Sequence, residues 1–206
     1  MLVAVAILVG LLAAWGAVPA GAGSAQAAVG PLCAVALGDA QQPGSVRALM
    51  ATVANIGEGL RDRLASDVWR LVRMPLPGFD GAVTETLLDA SSRMIDRISA
   101  LSGLAAENMG RGDGWRFHDM GRRLERAIHG CRLIALFAGD QASDDDLTVL
   151  LDLMDSQISY RTRYLTGPAL APVRDLLALE PVNPRALAWQ AQRLADHVAA
   201  LPTLRA

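Results

Sequence analysis

Apolar residues that recur every three or four positions are the feature that most limits what this chain can fold into. Over residues 46–74 they fall at Val46, Leu49, Val53, Ile56, Leu60, Leu64, Val68 and Leu71. Because about 3.6 residues complete one helical turn, residues at this spacing share one face of a helix. No stretch of the chain shows convincing alternation of apolar and polar residues flanked by turns. The pattern predicts an all-α fold, a bundle of about five to seven helices with mostly antiparallel neighbours.

Prolines, glycines and capping residues mark where the predicted helices begin and end. Ser143 precedes three aspartates, which favours a helix start because the hydroxyl caps a free N–H and the acids face the positive helix end. Asp113 is the predicted cap of the helix over residues 113–137. Within the helix predicted over residues 46–74, Gly57 and Gly59 predict a bend or a close helix crossing. The predicted helices of the bundle cover residues 29–37, 46–74, 83–101, 113–137, 144–164, 172–179 and 185–201, and a further apolar helix over residues 2–15 precedes them in one interpretation of the N-terminal segment.

The composition narrows the function classes to which this chain can belong. The 206 residues carry 19 basic and 21 acidic side chains, and every basic one is arginine. Without lysine, a Schiff-base enzyme and a phosphate-binding loop of the Walker type are both excluded. With a formal net charge of −2, the chain has no overall basic field that would recruit nucleic acid. Arginine instead supplies planar, permanently charged groups that suit carboxylates and phosphates.

Residues 1–28 have two interpretations. They resemble a secretory signal, with an apolar run followed by small residues, but no Lys or Arg precedes the run. The run from Leu2 to Ala14 is shorter than the roughly 20 residues that span a bilayer, so no membrane segment is expected. Composition leaves the two interpretations open. The family resemblance of the rest of the chain favours an N-terminal helix with a small-residue loop, ahead of a helical domain over residues 29–206. A cytoplasmic location is then the prediction, with export as the alternative.

The predicted helix over residues 113–137 concentrates histidine, arginine and glutamate. Its spacing predicts a core stripe of Phe117, Met120, Gly121, Leu124, Ile128, Cys131 and Ala135. A second stripe beside it contains His118, Arg122, Glu125, His129 and Arg132. Glu125 is one turn from both Arg122 and His129, so an exposed ladder of ion pairs is one interpretation. The alternative is a binding or catalytic stripe; the spacing does not match a known metal motif, and no metal is expected.

Two further segments contain polar residues suited to binding. Tyr160, Arg161 and Arg163 project around one predicted helix, whereas Ile158 and Leu165 are predicted to face the core. Asn183 is a predicted helix cap, with Pro184 in the first turn and Arg185 reaching outward.

Four segments together resemble the alpha-E domain, a bacterial all-helical family with a conserved Glu-Arg motif. They are RDRLASDVW (61–69), GWRFHDMGRRLERA (114–127), YRTRY (160–164) and NPRALAWQ (183–190). Glu125 and Arg126 stand at the Glu-Arg position. The resemblance covers about residues 30–200. Because family members usually begin with a further helix that carries its own Glu-Arg motif, the chain is expected to correspond to the C-terminal two-thirds of the domain.

The resemblance implies a helper role in peptide synthesis or modification. Alpha-E domains accompany an ATP-grasp amidoligase and a transglutaminase-like peptidase, which are the expected partners. The chain would then be a non-catalytic binding domain without a cofactor. Its arginines, Arg122, Arg126, Arg161, Arg163 and Arg185, would bind carboxylates or a phosphate of a peptide. The alternatives are an enzyme that uses Glu125 with His118 or His129 as acid–base groups, and a fragment with only a structural role.

Overall fold

The computed structural model describes residues 2–22, 29–79 and 84–202, and every regular element within them is helical. The all-α prediction is confirmed, and the described helices outnumber the predicted five to seven. They are α1 (Leu2–Ala14), α2 (Val29–Gly38), α3 (Val46–Gly59), α4 (Ser66–Arg73), α5 (Thr84–Asn108), α6 (Asp113–Phe137), α7 (Asp144–Leu153), α8 (Gln157–Tyr164), α9 (Leu170–Arg174) and α10 (Leu187–Ala199). A single π-helical turn, Asp175–Leu179, continues α9.

The single long helix predicted over residues 46–74 is wrong, because the chain breaks after Gly59. A 3₁₀ turn at Arg61–Arg63 separates α3 from α4. Gly57 lies where the two helices cross: a Cβ there would be 3.2 Å from Cγ1 of Val72. The predicted close crossing is therefore confirmed at Gly57, and the predicted bend follows Gly59, where α3 ends and the chain turns towards α4.

The helix predicted over residues 144–164 is also two helices. The hydroxyl of Ser143 accepts a hydrogen bond from the amide of Asp146, and the Asp146 carboxylate accepts one from the amide of Ser143, so the predicted start of α7 is confirmed. The break comes at Asp155, whose backbone is left-handed with φ of 48°. The buried hydroxyl of Ser156 then donates to the carbonyl of Met154. This local bond stabilises the turn in place of a continuing helix.

Helices α1 to α5 form one compact unit, and α6 to α10 form a second. In the first, α2 packs on α3 and α5, and α4 packs on both α3 and α5. The turn that follows α1 contributes Ala17 and Val18 to a small apolar cluster with Ala36. The boundary predicted between residues 28 and 29 stays a prediction.

In the second unit, α6 and α10 pack together most extensively. Leu150, Leu151, Val173 and Leu177 are fully buried beside this pair and form the apolar core of the unit. The close pairing of α6 with α10 decides which residues of the charged helix are buried.

Replacing Gly57 with valine should destabilise the first unit by about 1–3 kcal/mol, because the added methyl groups overpack the crossing of α3 and α4. Gly59→Val is the matched control, since nothing lies within 4 Å of a Cβ at that position. Urea unfolding of both variants checks this. Equal effects at the two glycines would contradict the close crossing.

Candidate functional site

The buried face of α6 is polar at its N-terminal half. Its buried residues are Asp119, Gly130, Leu133 and Phe137. The predicted core stripe is wrong, since Phe117 is 61% exposed and Leu124 is 52% exposed. The physical reason is that α10 covers the neighbouring face, where polar side chains of α6 find partners.

The centre of this face is the carboxylate of Asp119, which is 6% exposed. Arg123 donates two hydrogen bonds to it, from Nε at 3.1 Å and from Nη2 at 2.9 Å. Nε2 of His197, on α10, lies 2.9 Å from Oδ2 of Asp119. Arg122 makes a longer contact of 3.8 Å with the same carboxylate. We call Asp119, Arg123, Gln190 and His197 the buried polar network.

Gln190 connects this network to the start of α10. Nη1 of Arg123 donates to Oε1 of Gln190 at 3.4 Å, and Nε2 of Gln190 donates to the carbonyl of Pro184 at 2.6 Å. The Arg123 guanidinium also lies 4.5 Å from the ring centre of Trp189. Because each polar group has a partner, the network can hold α6 and α10 in one register without an unpaired buried charge.

The pKa of Asp119 is set by two opposing effects. Burial by itself raises the pKa of this carboxyl, but the hydrogen bonds and charges of Arg123 and His197 outweigh it, and the net pKa is lowered. Asp119 is therefore ionised at neutral pH and stabilises the two helices as an anion.

A cleft of about 180 Å³ lies further along α6, beside the buried polar network. Its lining includes Glu125, Arg126, His129, Gly130, Met154 and Arg185. Gly130 allows this arrangement, since a Cβ there would be 2.9 Å from a methyl group of Leu187. We call this the arginine cleft, after Arg126 and Arg185.

Arg126 has no hydrogen-bond or ion-pair partner among the described residues, although it stands at the Glu-Arg position. Partial burial lowers its pKa, and the like charges of Arg185, Arg122 and Arg123 lower it further, against a smaller opposing effect of Asp119. Glu125 does not neutralise it, because its carboxylate lies 3.3 Å from Nε2 of His129 instead. Arg126 is therefore left in the arginine cleft without a carboxylate of the described residues in contact with it.

The predicted ion pairs of Glu125 are confirmed only in part. The pair with His129 is present, with the Glu125 side chain 69% exposed. Arg122 contacts Asp119 rather than Glu125. His118 is exposed and does not line the arginine cleft, so the structure does not bring it together there with Glu125. Although His118 is exposed at the surface, its imidazole is partly desolvated. This desolvation and, after it, the charge of Arg122 lower the pKa of His118, against a smaller opposing effect of Asp119.

The tyrosine–arginine segment on α8 is mainly structural. Tyr160 is buried; its hydroxyl donates to the carbonyl of Gly167 and accepts from the amide of Ala169, both at 3.1 Å. Arg163 pairs with Glu180 and, at 3.6 Å, with Asp175. Arg161 is exposed outside the arginine cleft.

The predicted orientation of α8 is wrong. Ile158 is 81% exposed and Leu165 is 86% exposed, whereas Tyr160 is buried. The turn at Asp155 explains the difference, because it restarts the helix and changes the face that meets the core.

Asn183 holds the turn that presents Arg185 to the cleft. Its side-chain amide donates to the carbonyl of Leu176, and its Oδ1 accepts from the amide of Arg185, both at 3.0 Å. Since α10 begins at Leu187, Asn183 fixes this turn and is not the predicted helix cap. The Arg185 guanidinium is paired with Asp155.

Sequence reasoning did not single out the four members of the buried polar network. A signal was available: residues 119, 123, 126, 130, 133 and 137 follow an alternating spacing of four and three. Gln190 and His197 are seven residues apart and so share one face of α10. Polar residues occupy the first half of this face of α6 and apolar residues the second half, so a search for apolar periodicity alone passes over it.

Two classes of site find no support in the described part of the chain. Residues 2–22, 29–79 and 84–202 contain no group of three or more His, Cys, Asp or Glu residues placed to hold a metal ion. No helix in the same ranges is both long and apolar enough to cross a membrane.

These features define an all-helical protein with a Glu-Arg pair beside an arginine-lined cleft. The chain belongs to the alpha-E family, described as a predicted alpha-helical domain with a conserved ER motif, whose model matches residues 4–206. The family match begins at residue 4, whereas the sequence motifs predicted that the resemblance begins at about residue 30; the family domain therefore includes the N-terminal segment as well.

The chain is also similar to uncharacterized proteins of mycobacteria. It is 26% identical over 177 residues to Rv2567 of Mycobacterium tuberculosis and, to the same extent, to Mb2597 of Mycobacterium bovis. Each alignment covers 80% of this chain and 20% of the relative, so the chain spans about a fifth of the length of these proteins. No solved structure matches.

Replacing Asp119 with asparagine should lower the free energy of unfolding by about 3 kcal/mol, because Arg123 is left as a buried charge without its anion. Asp89→Asn is the control, since Asp89 is 78% exposed and lies 3.8 Å from Arg93; its effect should stay below about 0.5 kcal/mol. Urea unfolding measures both. Similar losses in the two variants would contradict the buried polar network.

The same carboxylate predicts an acid dependence of stability. The pKa of Asp119 is lower in the folded chain than its ordinary value of 3.8. Its stabilisation is therefore complete above that value and is lost as the pH falls through the folded-state pKa. Between about pH 5 and pH 2, the wild type should lose more stability than Asp119→Asn. Parallel curves for the two proteins in urea titrations across this range would contradict the assignment.

Proposed function

We propose that this chain is a non-catalytic accessory domain whose arginine cleft binds a carboxylate or phosphate of a peptide or partner protein. The observation that carries the proposal is Arg126, which lines the cleft beside Arg185 and has no partner among the described residues. A guanidinium group binds such anions through two parallel hydrogen bonds, which also fixes their orientation.

The charges around Arg126 favour an incoming anion. Arg122, Arg123 and Arg185 all repel its positive charge, so an anion that enters the cleft relieves this repulsion as well as forming hydrogen bonds. Asp155 pairs with Arg185 at the same place. An incoming anion would therefore compete with Asp155 for Arg185, whereas Arg126 is available without such competition.

The proposed biochemical setting follows from the enzymes that alpha-E domains accompany. An ATP-grasp amidoligase and a transglutaminase-like peptidase both act on peptides, whose carboxylates suit an arginine cleft. We propose that the chain binds such a peptide, or an acidic segment of the ligase, in the cytoplasm. The support for these partners is the family resemblance, together with the chemistry of the cleft.

Arg126→Gln should weaken anion binding to the cleft by at least about tenfold, since a charge-assisted hydrogen bond is worth about 1.5–3 kcal/mol. NMR titration of the amide of Gly130 with inorganic phosphate, and separately with acetate, measures this. Arg132→Gln is the matched control, because Arg132 is exposed on the same helix and does not line the cleft. Equal affinities for the wild type and both variants would contradict the proposal.

The partner is tested with the same variants. A co-encoded ATP-grasp ligase should co-purify with the wild type and with Arg132→Gln, and less with Arg126→Gln. Undiminished co-purification with Arg126→Gln would show that the ligase does not dock through the cleft. Failure of the wild type to retain the ligase would exclude this partner, while the phosphate titration would still test the anion site.

A further inference from the structure

A second arginine, in the other unit, is buried with most of its hydrogen-bonding capacity unused. Arg97 lies on α5 and is 6% exposed. Its Nη2 donates to the carbonyl of Val72, in the last turn of α4, at 2.9 Å. Its Nε and Nη1 are buried and have no hydrogen-bond partner. Only Nη2 of the guanidinium is therefore hydrogen-bonded, and the N–H groups of Nε and Nη1 have no acceptor among the described residues.

These nitrogens belong to a side chain that lines a pocket of about 290 Å³. One wall is the segment over residues 74–78, and the other is the face of α5 that carries Arg97 and Met94. Apart from the arginines, the side chains of the lining are apolar: Met74, Pro75, Leu76, Pro77 and Met94. A volume near 300 Å³ is at the lower end of pockets that hold small molecules. The pocket therefore suits a small ligand with an apolar body.

The charge of Arg97 is not balanced by any described carboxylate. Burial lowers its pKa, and no charged group of residues 2–22, 29–79 or 84–202 is among the causes of that shift. Arg93, one turn earlier on α5, has its own contact with Asp89 at 3.8 Å, and both of those side chains are largely exposed. Since an unpaired buried charge costs several kcal/mol, the position of Arg97 is unfavourable to stability unless an anion enters the pocket.

We propose that this pocket binds a monocarboxylate with an apolar body, with the carboxylate on the guanidinium of Arg97. One buried positive charge matches one negative charge, whereas a phosphate would bring a second charge into apolar walls. The ligand is either a free carboxylic acid or the carboxyl terminus of a peptide that ends in an apolar residue. The proposal is independent of the arginine cleft, because it rests on different residues in the other unit.

Hexanoate is the probe for the test, and the resonance of the Arg97 Nε–H group is the direct readout. In the full chain, hexanoate should shift this resonance in a saturable way and slow its exchange with water, because the carboxylate accepts the proton. Hexanol is the neutral control of similar length. The proposal is overturned if hexanoate causes no saturable shift, or if hexanol causes the same shift.

Thermal unfolding of variants gives the second measurement. In an Arg126→Met background, which removes the anion site of the arginine cleft, hexanoate should raise the melting temperature of the parent chain and of Arg70→Met, but not that of Arg97→Met. Arg70 is the control because it is an exposed arginine of α4 that does not line this pocket. Arg97→Met should itself be no less stable than the ligand-free wild type, since the unpaired buried charge is removed. If Arg97→Met does not fold, the Nε–H titration of the wild type decides alone.

The source of the carboxylate is tested with two peptides. Acetyl-Ala-Leu with a free carboxyl terminus and its amidated form differ only in the group that Arg97 would bind. A shift of the Arg97 resonance with the free acid alone would indicate a peptide terminus, and a shift with hexanoate alone would indicate a free acid. Arg126→Met should leave every one of these responses unchanged, and a loss of response in that variant would overturn the assignment to Arg97.

Discussion

The carboxylate of Asp119 is the constraint on which the second unit depends. It sits on the buried face of α6, where an unpaired anion would be costly, and it is stabilised by Arg123 of the same helix and His197 of α10. Gln190 extends the contact to the backbone before α10. Because these directional bonds must be formed together, they fix the register of the two helices more narrowly than apolar contacts would.

The arginine cleft follows from that register. With Arg123 occupied by Asp119 and Gln190, the next residue on the same face, Arg126, is left without a carboxylate. Gly130, one turn further, lets α10 and the end of α7 approach closely. The Glu-Arg motif is thus divided, since Glu125 pairs with His129 at the exposed side and the arginine lines the cleft.

Periodicity was enough to predict the helical class and the extent of α6, and capping predicted the start of α7. The predicted cap Asp113 is wrong, because Asp113 is the first residue of α6 and follows Gly112. Periodicity and capping failed where the chain turns within a continuous apolar pattern, as after Gly59 and at Asp155, because helix propensity and spacing do not encode a tertiary crossing or a left-handed turn. The site was predicted only in part. Arg126, Arg185, Glu125 and His129 do come together, whereas Tyr160 and Arg163 have structural partners that the sequence does not reveal. Asp119 and His197 were missed because their pairing joins positions 78 residues apart.

The most direct test of this account compares the Nε–H protons of Arg123 and Arg126 in the ligand-free protein by NMR. Both arginines lie on α6, less than one turn apart, so differences between them report on their partners rather than on their helix. Slow exchange with water is expected for the Nε–H proton of Arg123, which is donated to Asp119, and fast exchange is expected for that of Arg126. Equal protection of the two, or protection of Arg126 alone, would contradict it.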